Sequence, residues 1–221
     1  MAVTHGFIIN EAATSVTAPL NATAGLQVVV GTAPVNMLDD PAAAVNTPPI
    51  VRSYKGAGEA AGYSDDFEHY TICEAVNASF QVMNVGPLVL INVLDPTKHI
   101  TAVEETAVQI NDGVAEVPVT GMLLAKMVVK KEATELTADV DYVATFNDDG
   151  TVNIALIEGG AGDGATQLLV SGTKLDPTKV TPDDIVGGVS VSTGAETGLE
   201  LVRQVYPKIG YVPGILLAPR F

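Results

Sequence analysis

Two continuous apolar runs decide the fold of this chain: Gly25-Leu-Gln-Val-Val-Val-Gly31 and Val85-Gly-Pro-Leu-Val-Leu-Ile-Asn-Val-Leu94. An apolar run without polar alternation is typical of a strand that is covered on both faces. Between the two runs, apolar residues recur at helical spacing over residues 65–82, and acidic residues at the start of this segment favour a helix start there. Strand, helix and strand in this order predict an α/β sheet.

A glycine-rich segment, Gly56-Ala-Gly-Glu-Ala-Ala-Gly62, lies between a possible strand at residues 50–54 and the predicted helix. The phosphates of a dinucleotide would lie at this place in a Rossmann unit. However, the glycine spacing is one residue too long, and the acidic residues that follow would repel a phosphate. We therefore interpret the segment as a flexible loop rather than as a cofactor site.

The pattern changes after residue 100, where short alternating segments are separated by hairpin turns. Asn111-Asp112-Gly113 joins two such segments, and Asp148-Asp149-Gly150 joins residues 142–146 to residues 152–156. Aspartate followed by glycine is a strong hairpin signal, because both residues tolerate positive φ. With a further segment at residues 167–170, the pattern predicts a small antiparallel β-barrel or sandwich.

A near duplication flanks this β module: Val93-Leu-Asp-Pro-Thr-Lys98 precedes it and Lys174-Leu-Asp-Pro-Thr-Lys179 follows it. The repeat is either a coincidence, since Asp-Pro-Thr is a common turn, or a genuine duplication. In both cases each copy marks a turn at a domain border. One copy lies where the chain enters the β module and the other where it leaves, which indicates that the module is an insertion.

The α/β character returns after the second border. Thr181-Pro-Asp-Asp184 is typical of a helix start, and Thr193-Gly-Ala-Glu196 matches a capping box ahead of another helix. Val212-Pro-Gly-Ile-Leu-Leu-Ala-Pro219 predicts a further buried strand. A central strand with no following crossover leaves a sheet half built, so we expect a fragment or a protein completed by something else.

The sequence therefore predicts an α/β plus all-β fold, with a partial α/β sheet domain interrupted by the inserted β module. The predicted segments are an extended N-terminal arm (residues 1–21), the first part of the α/β domain (22–99), the inserted β module (100–180), and the truncated start of a second α/β part (181–221).

Charge and composition exclude several functions. The chain has 221 residues, with 26 acidic against 11 basic residues and a formal net charge of -15, which argues against nucleic acid or an anionic membrane as the partner. No apolar run approaches the roughly 20 residues that a membrane span requires. The single cysteine, Cys73, cannot form an intrachain disulfide, and its setting predicts a small buried side chain.

No catalytic, cofactor or metal site is predicted. The chain has no phosphate-binding loop, no serine nucleophile elbow and no zinc-protease motif, and its three histidines are far apart in the sequence. Each histidine is interpreted as a solvated or turn residue rather than as a ligand. An enzyme is accordingly the weakest of the functional interpretations.

Several segments, in their order, resemble contractile tail sheath proteins. These are Thr4-His-Gly-Phe-Ile-Ile-Asn-Glu11, Gly25-Leu-Gln-Val-Val-Val-Gly-Thr-Ala-Pro34, Gly86-Pro-Leu-Val-Leu-Ile-Asn-Val-Leu-Asp-Pro96, the Gly-x-Glu-x-Gly-Leu helix at residues 194–199, and Leu216-Leu-Ala-Pro-x-Phe221. The resemblance covers the whole chain and corresponds to the N-terminal half of the family. Arg220 departs from the glycine that the family usually has, and the remaining α/β half with its C-terminal arm is missing.

The resemblance implies a structural subunit, without cofactor, that polymerises around a tail tube and contracts to drive it through a cell envelope. The implied partners are other sheath subunits, the tail tube protein, and baseplate or terminator proteins. The implied location is a virion tail or contractile particle assembled in the bacterial cytoplasm. A short apolar arm outside a core has backbone groups that a neighbour's sheet edge can satisfy. The implied inter-subunit arm consists of Thr4, His5, Gly6, Phe7, Ile8, Ile9 and Asn10.

A second interpretation comes from another functional class. The chain would be a surface or extracellular binding module, and its β insert would recognise a glycan or a protein. The coding region after residue 221 distinguishes the two, because a sheath protein continues there with a second α/β half.

Overall fold

The computed structural model describes residues 25–221. Its strands are β1 (Gln27–Gly31), β2 (Ile50–Val51), β3 (Leu88–Asn92), β4 (Ile100–Asn111), β5 (Val114–Val117), β6 (Val128–Lys131), β7 (Thr134–Leu136), β8 (Tyr142–Phe146), β9 (Val152–Leu156), β10 (Gln167–Leu175), β11 (Gly188–Val189), β12 (Glu196–Thr197) and β13 (Ile215–Leu217). Its α-helices are α1 (Tyr54–Ala61), α2 (Thr71–Val76), α3 (Pro182–Val186) and α4 (Val202–Ile209). None of the helices in this part of the chain combines the length and apolar character of a membrane span.

The first sheet has four strands in the order β13-β1-β3-β2, with β1 parallel to both β13 and β3. Both of its faces are covered. Val29 and Leu90 pack with residues of α1 and α2, whereas Val28 and Ile91 belong to a second core that includes residues of α3 and α4. This double coverage explains why β1 and β3 are continuous apolar runs rather than alternating ones. The predicted α/β structure and its two buried strands are confirmed.

The helix predicted over residues 65–82 is shorter than expected at its start. Residues before Thr71 form turns, α2 begins at Thr71, and the helix continues with wider π-type turns over Asn77–Val82. Thr32 determines this start, because its hydroxyl accepts a hydrogen bond from the Thr71 backbone N–H at 3.1 Å. The acidic residues of the predicted first turn therefore lie in the preceding turns.

The glycine-rich segment is a helix, so the predicted flexible loop is wrong. Ser53 caps the start of α1 by accepting a hydrogen bond from the backbone N–H of Gly56, and Gly62 ends the helix with φ 77°. A side chain at residue 62 would meet the carbonyl oxygen of Pro34 at 2.3 Å. Glycine at this position thus allows close approach of two backbone segments.

The second sheet has seven strands in the order β7-β6-β10-β4-β5-β9-β8, and all neighbouring strands are antiparallel. One buried cluster takes residues from all seven strands, so the sheet curls around a single core as a half-barrel. Both predicted hairpins are confirmed. In the first, Asp112 and Gly113 have φ of 50° and 80°, as a two-residue hairpin turn requires.

The two helix starts predicted after residue 180 have different outcomes. The start of α3 is confirmed: Asp184 accepts hydrogen bonds from the backbone N–H and the hydroxyl of Thr181 at 2.9 and 2.7 Å. The capping box at residues 193–196 is wrong, because Glu196 lies in β12 and accepts a hydrogen bond from Nε of Arg203 at 2.8 Å. The side chain that would have capped a helix is therefore bound to α4 instead.

Candidate assembly surface

Strand β13 lies at an edge of the four-stranded sheet. It pairs with β1 from Gln27↔Ile215 to Val29↔Leu217, and no strand of the described region pairs with its other side. Such an edge presents backbone donors and acceptors that another strand can bind. It is therefore a site at which a further strand can extend the sheet.

The side chains of β13 are more exposed than the sequence predicts. Ile215 is 42% exposed and Leu216 is 50% exposed, although the prediction for this segment was a buried strand. The prediction is wrong within the described region, since nothing there covers the outer side of β13. Val212 and Phe221, which precede and follow the strand in the sequence, are also exposed. Exposed apolar side chains grouped in this way are typical of interaction sites.

Arg220 stands where tail sheath proteins usually have glycine. Its backbone is in the left-handed region, with φ 66°. Glycine adopts this conformation without steric penalty, whereas a residue with a Cβ atom does not. Nε of Arg220 lies 3.1 Å from Oε2 of Glu74, which is in α2. The ion pair therefore connects the segment after β13 to the helix that packs on the sheet.

Both copies of the duplicated motif form turns, as predicted. Asp95 Oδ1 accepts hydrogen bonds from the backbone N–H and the hydroxyl of Thr97, at 2.8 and 2.6 Å. In the second copy Asp176 Oδ1 accepts equivalent bonds from Thr178, with the backbone N–H at 3.2 Å. The similarity of the two segments is thus a similarity of local structure, which Asp, Pro and Thr favour.

The two turns lie side by side at the base of the half-barrel. The Asp176 backbone N–H donates to the carbonyl oxygen of His99 at 2.9 Å, and Asp176 Oδ2 accepts from the Thr101 hydroxyl at 2.6 Å. His99 is buried; its Nδ1 accepts from the Asp95 backbone N–H at 2.9 Å, and its Nε2 lies 3.6 Å from Oδ1 of Asp184. This network attaches the half-barrel to the α/β layer at both chain crossings.

The chemically reactive side chains do not converge in the region that the structure covers. No group of three or more His, Cys, Asp or Glu side chains among residues 25–221 could hold a metal ion. His69 is exposed and lies 2.8 Å from Asp66, and His99 belongs to the turn network. Cys73 is buried, as predicted, and burial raises the pKa of its thiol to about 12. This thiol is therefore protonated and unreactive at neutral pH.

The predicted inter-subunit arm, Thr4 to Asn10, lies outside the described residues. Sequence reasoning missed two other surfaces that the structure shows. The first is an exposed apolar ridge at residues 82–85, and the second is a groove lined by residues 36–39. The ridge had a weak signal, because Val82 falls off the apolar stripe of the predicted helix.

A search of curated proteins found a relative from a phage. Over 195 residues the chain is 29% identical to the tail sheath protein of Burkholderia phage BcepMu. This match confirms the predicted resemblance to tail sheath proteins. The aligned region covers 87% of this chain and 38% of the relative, so the chain spans less than half the length of that sheath protein. No protein-family model matches the chain, and no solved structure matches it.

Proposed function

We propose that this chain is part of a structural subunit of a contractile phage tail sheath, which polymerises around a tail tube and contracts to drive it through a cell envelope. The similarity to a tail sheath protein supports the structural role. The observation that carries the assembly step is the exposed apolar edge strand β13, which continues a sheet of otherwise buried strands. In such a subunit the stored energy would be a difference in contacts between copies, with no need for a nucleotide or a reactive group.

The proposed partners follow from that role. They are other sheath subunits, the tail tube protein, and baseplate or terminator proteins at the tail ends. The proposed location is the tail of a virion, after assembly in the bacterial cytoplasm. A surface with net negative charge favours neutral or basic partner surfaces over nucleic acid.

The proposed domain division assigns residues 100–180 to an inserted module that projects outward from the sheath. Its support is the side-by-side arrangement of the two Asp-Pro-Thr turns, through which the chain leaves and re-enters the α/β layer. On β4 of the half-barrel, Glu104, Glu105 and Thr106 are exposed. A polar outer surface is suited to solvent or to a host-facing exterior.

Residues Thr4 to Asn10 are proposed as the arm that links neighbouring subunits. The arm would add a strand to a sheet edge of another copy, and β13 presents such an edge. Backbone pairing would provide affinity, and Phe7, Ile8 and Ile9 would provide the apolar contacts.

Deletion of residues 1–10 tests the assembly role. In the full-length protein, we expect the deletion to leave the far-UV circular dichroism spectrum and the melting temperature unchanged, but to prevent tube-like assemblies in negative-stain electron micrographs. A second variant, Ile9→Asp, keeps the length of the arm but reduces its apolar character. Normal assemblies from both variants would refute the arm's role, and a monomeric intact chain that binds glycans would favour the surface-binding alternative.

A further inference from the structure

A groove of about 390 Å³ lies between the α/β layer and the half-barrel. A neighbouring depression of about 510 Å³ shares Met37, Leu38 and Asp39 with it and extends to Glu59 on α1. We call the two together the acceptor groove. Its floor is largely apolar and its rim is acidic; the residues that matter for recognition are Asn36, Leu38, Asp39, Asp40, Leu124 and Phe146.

Asn36 gives the acceptor groove an unsatisfied polar group. The residue is only 4% exposed and lines the groove, and its Oδ1 has no hydrogen-bond partner among the described residues. A buried amide oxygen without a partner destabilises the fold, and native proteins normally pair such groups. Oδ1 is itself screened from solvent, so a partner that brings a polar group into the groove removes this penalty through a rotation of the Asn36 amide.

The apolar ridge at residues 82–85 has the complementary chemistry. Val82 is 68% exposed, Met83 is 70% exposed and Val85 is 48% exposed. Asn84 lies between them, is exposed, and forms no side-chain hydrogen bond within the described region. Arg52 lies beside Asn84 and Val85 and has no acidic partner within the same region. The ridge thus presents apolar side chains, a primary amide and a cation.

The ridge and the acceptor groove lie at opposite ends of the parallel strands. Strands β1 and β3 pair in register from Gln27↔Leu88 to Gly31↔Asn92, so their starts share one edge of the layer and their ends share the other. The ridge directly precedes β3, whereas Asn36 follows β1 within five residues. Two unlike surfaces at opposite ends of one molecule form a heterologous contact, which repeats from copy to copy.

We propose that the ridge of one copy docks into the acceptor groove of the next copy, so that subunits associate head to tail. This inference rests on the proposed function as a self-assembling subunit and names a contact other than the arm. Val82 and Met83 cover the apolar floor near Leu38 and Phe146. The amide of Asn84 pairs with the amide of Asn36, and because each amide has both a donor and an acceptor, the pairing forms in either orientation.

Charge completes the match between the two surfaces. Asp39 and Asp40 are exposed at the groove rim and have no cationic partner in the part of the chain that is described. Arg52 at the ridge can approach them when two copies dock. Exposed ion pairs of this kind contribute modestly to affinity and strongly to orientation.

Cross-linking between copies tests the contact directly. Cys73 is 1% exposed, so a bis-maleimide reagent will react with introduced cysteines and not with the native one. Met83→Cys on the ridge and Ala125→Cys at the groove are both at exposed positions. We expect a cross-linked dimer in a mixture of the two variants and far less in either variant alone. A control mixture of Met83→Cys with Glu104→Cys, at an exposed position of β4, should give no more than the single variants.

Charge reversal provides an independent measurement. Arg52→Glu and Asp39→Lys should each weaken association about threefold in sedimentation velocity, as expected for exposed ion pairs, and the double variant should recover the original association. Met83→Asp, at a position too exposed to affect folding, should weaken association by about tenfold because it places a charge on the apolar floor.

The outcomes separate this proposal from the proposed function. If the intact chain associates but Met83→Asp has no effect and the mixed cross-link is absent, the head-to-tail contact is wrong and assembly through the arm stands. If the intact chain stays monomeric up to millimolar concentration, the head-to-tail contact is wrong, whereas the proposed function is judged by the arm deletion.

Discussion

Replacing Gly58 or Gly62 by alanine should change the stability of the protein in opposite directions. Gly58 lies inside α1, and a Cβ atom there would meet its nearest neighbour, Cβ of Tyr63, at 3.9 Å, which is an ordinary contact. Gly58→Ala should therefore stabilise the protein by about 0.8 kcal/mol, the difference in helix propensity between the two residues. Gly62 ends the helix at φ 77°, and its Cβ would lie 2.3 Å from the Pro34 carbonyl oxygen.

Gly62→Ala should destabilise the protein by about 3 kcal/mol or more. At φ 77° and ψ 165° the backbone of residue 62 lies in a region that is essentially restricted to glycine, and a residue with a Cβ atom there costs about 1–3 kcal/mol. The contact with Pro34 can be relieved only by moving one backbone segment away from the other. That movement would loosen the packing of Ala57 and Ala61 against the sheet. A loss of this size is a large fraction of the roughly 5–15 kcal/mol that stabilises a typical domain.

Urea denaturation followed by far-UV circular dichroism measures both effects. The midpoint should rise for Gly58→Ala and fall for Gly62→Ala, with unchanged slopes. The two variants control for each other, because they make the same chemical change four residues apart. If Gly58→Ala is neutral or destabilising, or if both variants shift the midpoint equally, the segment is not the helix described here and the flexible-loop interpretation regains support.

Three further predictions concern the end of the chain and the turn network. Arg220→Gly should be more stable than Arg220→Ala by about 1 kcal/mol, because both remove the ion pair but only glycine relieves the left-handed backbone; equal melting temperatures would contradict this. Hydrogen bonding from Thr101 lowers the pKa of Asp176 below its ordinary value, so its contribution to stability is present above the unfolded pKa and is lost as pH falls through the folded pKa. Asp176→Asn should therefore lower the free energy of unfolding by about 1 kcal/mol at neutral pH and flatten its decline toward acid pH, and an unchanged pH profile would contradict that. Leu216→Lys, at the exposed sheet edge, should change stability by less than about 0.5 kcal/mol while reducing assembly in electron micrographs, whereas the control Val143→Lys on the half-barrel should leave assembly unchanged.

Local signals predicted the parts of this fold in which neighbouring residues determine the conformation. The hairpin at Asp112 and Gly113 forms because both residues accept positive φ, and the start of α3 forms because Asp184 caps it from three residues away. The two Asp-Pro-Thr turns form for the same reason, since each aspartate binds the threonine two residues later. In all of these the bonding partners are close in sequence, so the sequence pattern contains the whole interaction.

The predictions that failed depend on partners distant in sequence. The start of α2 is determined by Thr32, which is 39 residues away, and the capping box at residues 193–196 does not form because Arg203 binds Glu196. The end of the helix formed by the glycine-rich segment depends on Gly62 fitting against Pro34, 28 residues earlier. Its cap from Ser53 is a local signal that the sequence interpretation missed. Each alternative was locally reasonable, and a tertiary contact decided between them.

For the candidate surface, the sequence by itself determined that β1 and β3 would be buried strands, that an antiparallel β module would follow, and that the chain would resemble a tail sheath protein. Only the tertiary structure decided which apolar residues stay in contact with solvent. The sequence pattern predicted that Ile215 and Leu216 would be buried in a core. They are exposed because β13 lies at the edge of its sheet. Hydrophobicity depends on the residue alone, whereas burial depends on which other parts of the molecule cover it, and that is a property of the assembled fold.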